Sequence, residues 1–251
     1  KQLHTGKAAM NGVISAYLAK DGFTGPETIF EGDKGFCKAT SNEYDLGKLT
    51  ENLGPGRVEY KLLTNSFKIH ATCRHIHSSL DAAIAIVNEN ALNAGDITSI
   101  DIRLYDAGMD LLERKAMKPR YGFEAMFSIP FCVATAVIHG SVGLEAFTDE
   151  RLRDGEIEKL MPRVHLHRDK ALNKDYPREW PAIVKITTGS GAFERRVDYP
   201  KGDSENPLSL DELVAKFRGM VSGIIPDARA EALIQRMLDI ENVRIAKFFS
   251  S

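Results

Sequence analysis

The stretch of sequence that decides the fold is PAIVKITTGSGAFERRVDY, residues 181–199. Apolar and polar residues alternate in PAIVKITT and again in FERRVDY, which is typical of strands with one buried face. Gly189, Ser190 and Gly191 between them are turn residues, so the two strands are predicted to form a hairpin. This Gly-Ser-Gly run lacks the helix-opening context of a phosphate-binding loop, and we interpret it as a turn.

Three further segments have strand character. In ITSIDIRLY (97–105) the apolar residues at 100, 102 and 104 fall on one side, and PRVHLHRD (162–169) alternates in the same way. His165 and His167 of the second segment are interpreted as outward-facing surface residues. The β-prone run FKIHAT (67–72) follows a Gly-Pro-Gly sequence at 54–56, which indicates a crossing from a helical layer into a sheet.

Helical spacing and helix caps appear on both sides of these strands. The apolar residues Met10, Val13, Ile14, Tyr17 and Leu18 predict an amphipathic helix that ends at Asp21-Gly22. FTGPETIFEG (23–32) is interpreted as a turn followed by a short helix with Pro26 at its start.

Later helices are predicted from caps and composition. Ser78 and Ser79 are expected to cap a helix that Ala94-Gly95-Asp96 closes, and FEAMFSIPFCVATAVIHG (123–140) is expected to hold a buried helix interrupted or started near Pro130. A polar helix is predicted over 148–160. Towards the end of the chain, a capping box at Ser209 and Glu212 and a proline at 226 each predict a helix start.

This order of segments predicts an α+β fold with three parts. Residues 1–60 are expected to be the first part of a helical domain, residues 61–205 a smaller inserted α+β domain, and residues 206–251 a helical return to the first domain. The helical segments at the two ends are expected to pack together.

Composition limits the classes of function. A formal charge of -2 over 251 residues argues against general nucleic-acid binding, and no apolar run or signal peptide suggests a membrane or export. Cys37, Cys73 and Cys132 are odd in number and widely separated, which favours a reducing compartment. We expect the cytoplasm, or the mitochondrion in a eukaryote. Because KQLHTGKAA begins without methionine, we also expect a truncated or processed chain.

Two basic constellations could bind anions. Lys1, His4 and Lys7 lie at the start of the first predicted helix, where free backbone amides favour a carboxylate. A solvated basic helix start is the alternative, since such clusters are common.

The second constellation lies in SFKIHATCRHIHSSLDA (66–82) and is the densest in the chain. It contains Lys68, His70, Cys73, Arg74, His75 and His77. If the backbone is extended there, the histidines at 75 and 77 share one face. An Arg or Lys that fixes carboxylates and a His that moves a proton would suit proton abstraction beside a carboxylate. These polar groups could instead bridge two domains, whereas a zinc site lacks a fourth ligand and standard spacing.

Three ordered blocks of the chain resemble the MmgE/PrpD family. They are KQLHTGKAAMNGVISAYLAKDGFTGPETIFEGDKGF (1–36), CRHIHSSLDA (73–82) and FSIPFCVATAVIHGSVGLEAFTDERL (127–152). The family includes 2-methylcitrate dehydratase, cis-aconitate decarboxylase and iminodisuccinate epimerase, which perform carbanion-type chemistry beside carboxylates without metal or nucleotide. The resemblance implies an active site in the cleft between a helical domain and a smaller α+β domain.

The resemblance also assigns roles to residues. It implies that Lys1 and His4 bind substrate carboxylates and that Lys68 lines the cleft. From the next block we take Arg74 as a substrate-binding residue, and we take Lys68, His75 and His77 as the candidate catalytic residues, with no metal and no cofactor.

Two departures and one difference in length qualify the resemblance. Cys73 stands where the decarboxylase has a histidine and Phe131 where it has a tyrosine, so decarboxylation is disfavoured. Family members are longer and have a preceding helical region that contributes an Asp and a His to the site.

Three hypotheses follow. The first is a cofactor-independent hydro-lyase like 2-methylcitrate dehydratase, with an isomerase, epimerase or decarboxylase of the same family as the alternative. The second is a catalytically incomplete fragment or subunit that needs the missing helical region. The third is an α+β domain whose basic pocket binds a small anion. The expected partners are a small tri- or dicarboxylic acid and either a second copy of the chain or the missing N-terminal region.

Overall fold

The computed structural model of the chain describes residues 2–53, 60–112 and 118–242. The chain divides into two compact units, Lys1–Tyr60 and Lys61–Ser251, and each is described by itself. The predicted division into three domains, with residues 206–251 returning to the first, stays a prediction.

The first unit is helical. Helix α1 spans Gln2–Lys20 and helix α2 spans Phe36–Thr40, with a 3-10 turn at Leu46–Leu49. The predicted end of α1 is confirmed, since Gly22 has a φ of 91° and its amide donates to the carbonyl of Ala19. The apolar side chains of α1 are all exposed, from 46% at Leu18 to 78% at Leu3. The helix that forms is therefore the one predicted, but its apolar stripe is not buried in this chain.

The short helix predicted to start at Pro26 does not form. Turns occupy this part of the unit until α2 begins at Phe36. The amide of Phe36 donates to the carbonyl of Ile29, and the amide of Gly35 donates to that of Gly32. These bonds fold the segment back on itself, and the backbone groups that a helix would pair are used in turns instead.

A four-stranded mixed sheet forms the centre of the second unit, which confirms an α+β fold. Strands β1 (Ile97–Leu104), β2 (Val164–Arg168), β3 (Ala182–Thr188) and β4 (Gly191–Val197) lie in the order β2-β1-β3-β4. Strands β1 and β2 are parallel, and the other two pairs are antiparallel. The hairpin predicted from 181–199 is confirmed, with register from Ala182 opposite Val197 to Thr188 opposite Gly191.

Two helices supply most of the core that covers the sheet. Helix α3 (Arg74–Glu89) packs against β3, β4 and helix α6 (Ile129–His139). The inward residues of the sheet and of both helices are fully buried, as predicted for 97–105 and 123–140: Ile76, Leu80, Ile100, Ile102, Leu104, Val133, Val184 and Ile186. Each such side chain contributes about 1.5–3 kcal/mol by leaving water. Helix α6 begins as predicted near Pro130, and the hydroxyl of Ser128 caps it by accepting from the amide of Phe131.

The start of α3 differs from the prediction. The helix begins at Arg74 with Cys73 as its N-cap, so Ser78 and Ser79 are buried inside it and cap nothing. It ends at Glu89, before the predicted closing residues. The run 67–72 is not a strand, because its amides bond to scattered loops: Phe67 to the carbonyl of Gly202 and Ala71 to that of Val142. A strand requires one continuous partner, which this segment lacks.

Short helices connect these elements: α4 (Asp106–Leu112), α5 (Gly122–Ala125) and α7 (Gly155–Leu160). The single helix predicted over 148–160 is divided into a 3-10 turn at Arg151–Arg153 and α7. The break occurs at Asp154, which leaves helical geometry and accepts from the amide of Glu156 to cap α7.

The second unit ends in two helices, α8 (Leu210–Val221) and α9 (Asp227–Leu238). The predicted capping box is present, with the Ser209 hydroxyl and the Glu212 carboxylate each accepting from the other residue's amide. The apolar residues of α9 are buried only in part: Ala230 and Ile234 are buried, whereas Met237 and Leu238 are each 54% exposed.

Candidate functional site

The second unit brings the residues of the 66–82 constellation together around the first turn of α3. Lys68 precedes the helix, whereas Arg74, His75 and His77 belong to it. The extended backbone that would put the histidines at 75 and 77 on one face does not form, because both lie in α3. Residues two apart in an α-helix lie about 200° apart around its axis. The two rings therefore have different surroundings.

Arg74 is held in place by two partners from distant parts of the chain. Its guanidinium forms an ion pair with Asp203, and its Cζ atom lies 4.8 Å from the centre of the Trp180 ring. The side chains of Arg74 and Asp203 are 18% and 6% exposed, so the pair is largely removed from water. A guanidinium has five N–H groups, so those that do not bond to Asp203 can donate to a carboxylate of a ligand.

The ring of His75 packs against the aromatic side chains of Tyr105 and Trp180. Its Nδ1 atom is 2.6 Å from the hydroxyl of Tyr105, and its ring centre is 4.8 Å from that of Trp180. Tyr105 in turn stacks on Tyr176, with ring centres 4.4 Å apart. Burial lowers the pKa of His75, and the positive charges of Arg74 and Lys68 lower it further. The ring is therefore neutral at pH 7.

His77 is fully enclosed, with 0% of its surface exposed. Neither ring nitrogen has a hydrogen-bond partner among the described residues. Burial lowers the pKa of His77 to about 3; His70, Lys68 and Arg74 act in the same direction, and the backbone of Thr72 opposes them with a smaller effect. A direct catalytic role for His77 stays a prediction, and its enclosed position argues against contact with a substrate.

A loop formed by residues 199–206, here called the 199–206 loop, holds the segment before α3 in place. The Asp81 carboxylate lies 2.9 Å from Nε2 of His70 and accepts from the amide of Lys201 at 2.6 Å. Gly202 of the same loop has a φ of 99° and approaches Phe67 so closely that an added Cβ would lie 2.0 Å from the Phe67 carbonyl oxygen. The loop thus fixes both ends of the segment that contains Lys68.

Lys68 is exposed, and its ammonium donates to the carbonyl of Thr72 at 3.1 Å. That bond places a positive charge within the turn that leads into α3. A cation and free helix amides at one place favour a bound anion. The half-buried Cys73 is the N-cap residue of α3.

The other predicted site residues belong to the first unit. His4 and Lys7 are exposed and lie one turn apart on α1. Lys1 lies outside the described residues. The roles of Lys1 and His4 in substrate binding remain proposals.

Sequence inspection missed Tyr105, Trp180 and Asp203. Each lies outside the 66–82 constellation, and only the folding of β1, β3 and the 199–206 loop brings it beside α3. A lone Trp next to a strand and an Asp in a loop have no spacing that marks them as partners of an arginine. By contrast, the interpretation of His165 and His167 as surface residues is confirmed, since both are exposed on β2.

Two further properties concern metals and membranes. Within residues 2–53, 60–112 and 118–242, no three His, Cys, Asp or Glu side chains lie close enough together to hold a metal ion. None of the helices described is long and apolar enough to cross a bilayer.

Comparison with known proteins identifies the family that the sequence of the chain matches. The family model of the MmgE/PrpD C-terminal domain matches residues 70–240, and that of the MmgE/PrpD N-terminal domain matches residues 1–48. The C-terminal match includes α3, the sheet and α8, and it therefore covers Arg74, His75 and their partners but not Lys68.

Curated relatives agree with both matches. The chain is 27% identical to cis-aconitate decarboxylase of Mus musculus over 98% of its own length and 51% of the relative's. It is 24% identical to 2-methylcitrate dehydratase of Salmonella typhimurium over 95% of the chain and 51% of the relative. For the mitochondrial 2-methylcitrate dehydratase of Yarrowia lipolytica the identity is 27% over 61% of the chain and 31% of the relative.

The chain spans about half the length, or less, of these relatives. Its two family matches nevertheless follow one another in order and together cover most of its residues. The chain therefore belongs to the MmgE/PrpD family.

Proposed function

We propose that the protein containing this chain is a lyase that eliminates water from a small tricarboxylic acid, as a 2-methylcitrate dehydratase does. The observation that carries the proposal is the grouping of Lys68, Arg74 and His75 at the start of α3, with Arg74 held by Asp203 and His75 held by Tyr105. Relatives named as dehydratases support the reaction class.

The chemistry requires such a group of residues. Removing a proton beside a carboxylate moves negative charge onto the carboxylate oxygens, and fixed positive charge and N–H donors stabilise it. In this proposal Lys68 and Arg74 bind carboxylates, and His75 contacts the reacting part of the acid. The residue that removes the proton is assigned to the part of the protein beyond this chain, and no cofactor is required.

Of the two departures from the decarboxylase, the one at Cys73 favours water elimination over decarboxylation. Cys73 and Phe131 stand where the decarboxylase is expected to have a histidine and a tyrosine. Phe131 is 1% exposed in α6, so it lies within the core of the second unit. A thiol at the start of α3 supplies a weaker hydrogen bond than an imidazole does.

The test is an assay of the complete protein with 2-methylcitrate, citrate, cis-aconitate and iminodisuccinate. Dehydration of 2-methylcitrate is the expected result. Release of carbon dioxide from cis-aconitate, or epimerisation of iminodisuccinate, would identify another activity of the family, and no turnover of any of the four acids would reject the proposal.

Substitution of Lys68 tests the site. We expect Lys68→Met to reduce kcat/KM by about 100-fold, which corresponds to the loss of one strong charge-assisted contact in the transition state. Lys185→Met, which removes an exposed lysine of β3, is the matched control. Equal activity of the two variants would exclude Lys68 from the site.

A second proposal is that the 251-residue chain is catalytically incomplete by itself and acts with the rest of the protein or with a second copy. The share of the relatives' length that it covers favours this. The chain alone should be inactive, and adding a polypeptide that corresponds to the remaining half should restore turnover. Full activity of the isolated chain would exclude this proposal.

A further inference from the structure

Tyr105 lies behind His75 and is the one described residue that bonds to its ring. Its hydroxyl is 2.6 Å from Nδ1 of His75. The side chain is 1% exposed, and burial raises the pKa of the phenol well above its usual value. The hydroxyl therefore keeps its proton throughout the working range of pH.

The direction of this hydrogen bond follows from the surroundings. Among the described residues the Tyr105 hydroxyl has no acceptor other than Nδ1 of His75. A buried O–H group that does not donate loses the full value of a hydrogen bond, so donation to Nδ1 is favoured. A neutral imidazole that accepts at Nδ1 carries its proton on Nε2.

The Nε2 atom of His75 is available to a ligand. The enclosed polar side-chain atoms without a partner in the described part of the chain are both nitrogens of His77 and Oγ of Ser79. Nε2 of His75 is not among them and bonds to no described residue. It therefore reaches solvent on the side of the ring away from Tyr105.

Resting on the proposed function, we propose that Tyr105 is a positioning residue that fixes His75 as a neutral Nε2–H donor to a substrate oxygen. In this role His75 accepts no proton from the substrate, because its outward nitrogen has no free electron pair. A base elsewhere removes the substrate proton, and the electron pair of the broken C–H bond moves into the neighbouring carboxylate group. The hydrogen bond from Nε2–H of His75 stabilises the negative charge that develops on the carboxylate oxygen. His75 keeps its proton throughout.

Aromatic packing keeps the ring in this orientation. His75 lies 4.8 Å from Trp180 and 6.0 Å from Tyr176, measured between ring centres. Tyr176 also stacks on Tyr105, so Tyr105→Phe retains the stacked rings and removes only the hydroxyl. Tyr176→Phe is the matched control, because the Tyr176 hydroxyl makes no hydrogen bond to any described residue.

The test is NMR of the full 251-residue chain with its seven histidines labelled with ¹⁵N. Long-range ¹H–¹⁵N correlations at pH 7.5 report the tautomer of each ring, and His75→Gln identifies the signal. We expect His75 to be the Nε2–H tautomer in the unmodified chain and in Tyr176→Phe. In Tyr105→Phe the ratio of Nε2–H to Nδ1–H should fall about fivefold, the usual effect of losing one hydrogen bond.

An Nδ1–H or doubly protonated ring in the unmodified chain would overturn the proposal, as would an unchanged ratio in Tyr105→Phe. In the complete protein, Tyr105→Phe should lower kcat about fivefold with little change in KM. A complete protein that turns over none of the acids would reject the proposed function, whereas the NMR result tests the hydrogen bond independently.

Discussion

The enclosed ring of His77 should make the stability of the second unit fall steeply as pH is lowered from 7 to 5. The pKa of His77 is about 3 in the folded protein, against 6.5 for an ordinary histidine. Because the folded-state pKa is the lower one, the unfolded chain binds the proton more readily. The stability that comes from the neutral ring is complete above about pH 6.5 and is lost as the pH falls towards 3.

The size of the effect follows from the two pKa values. Between pH 7 and pH 5 this one residue should reduce the free energy of unfolding by about 2 kcal/mol. His75 acts in the same direction because its pKa is also lowered. The carboxylates of Asp101, Asp154 and Glu212 have lowered pKa values as well, but their contribution is lost only near and below the usual carboxylate range. The interval from pH 7 to 5 therefore isolates the histidines.

The assay is a urea titration at pH 7, 6 and 5, followed by fluorescence. The chain has one tryptophan, Trp180, which lies in the second unit within 5 Å of His75 and so reports on the unit of interest. His77→Leu should reduce the loss between pH 7 and 5 by about 2 kcal/mol. His165→Gln removes an exposed imidazole of β2 and is the control. If His77→Leu shows the same pH dependence as the unmodified chain, the reasoning about the enclosed ring is refuted.

The other predictions concern the contacts that surround the site. Gly202→Ala should destabilise the second unit by about 3 kcal/mol, because backbone strain and the close approach to the Phe67 carbonyl oxygen add together. Gly140→Ala is the control and should cost about 1 kcal/mol from backbone strain alone. Equal losses of stability for the two variants in the urea titration would contradict the close approach. Asp203→Asn leaves the Arg74 charge without its partner and should cost about 3 kcal/mol in the same titration, so a neutral effect would reject the ion pair. Ser209→Ala should cost about 1 kcal/mol and increase amide exchange in the first turn of α8, and unchanged exchange would contradict the cap.

Local patterns were sufficient for the parts of the fold that local interactions determine. The hairpin at 181–199, the capping box at Ser209 and the start of α6 near Pro130 each depend on residues close together in sequence. The spacing of turn residues and caps is therefore enough to predict them.

The predictions of secondary structure were wrong where backbone groups distant in sequence determine the structure. The run 67–72 has β-prone residues, but its amides bond to Gly202 and Val142, which no local rule could indicate. The serines at 78 and 79 have the right chemistry for a cap. The helix nevertheless begins earlier, where the amide of Cys73 bonds to the carbonyl of Met126.

The candidate site was predictable only as far as local sequence patterns reach. The charged residues of 66–82 are dense enough to be recognised in the sequence, and family resemblance assigned them roles. Their environments were not predictable, because the enclosure of His77 and the contact of His75 with Tyr105 arise from the packing of α3 on the sheet.

The position of β1 in the sheet has a consequence for how the second unit folds. β1 lies between β2 and β3, and Ile100 is paired with both Val164 and Ile186. Both pairings close long loops, whereas the β3–β4 hairpin closes a short one. The hairpin can therefore form first, and the pairing of β1 with its two neighbours follows. During synthesis on the ribosome, β1 leaves the exit tunnel long before either of its neighbours. The apolar residues of β1 thus have no strand partner until β2 has been made at residue 168, and they lack the second partner until β3 is complete at residue 188. A chaperone can bind β1 during that interval.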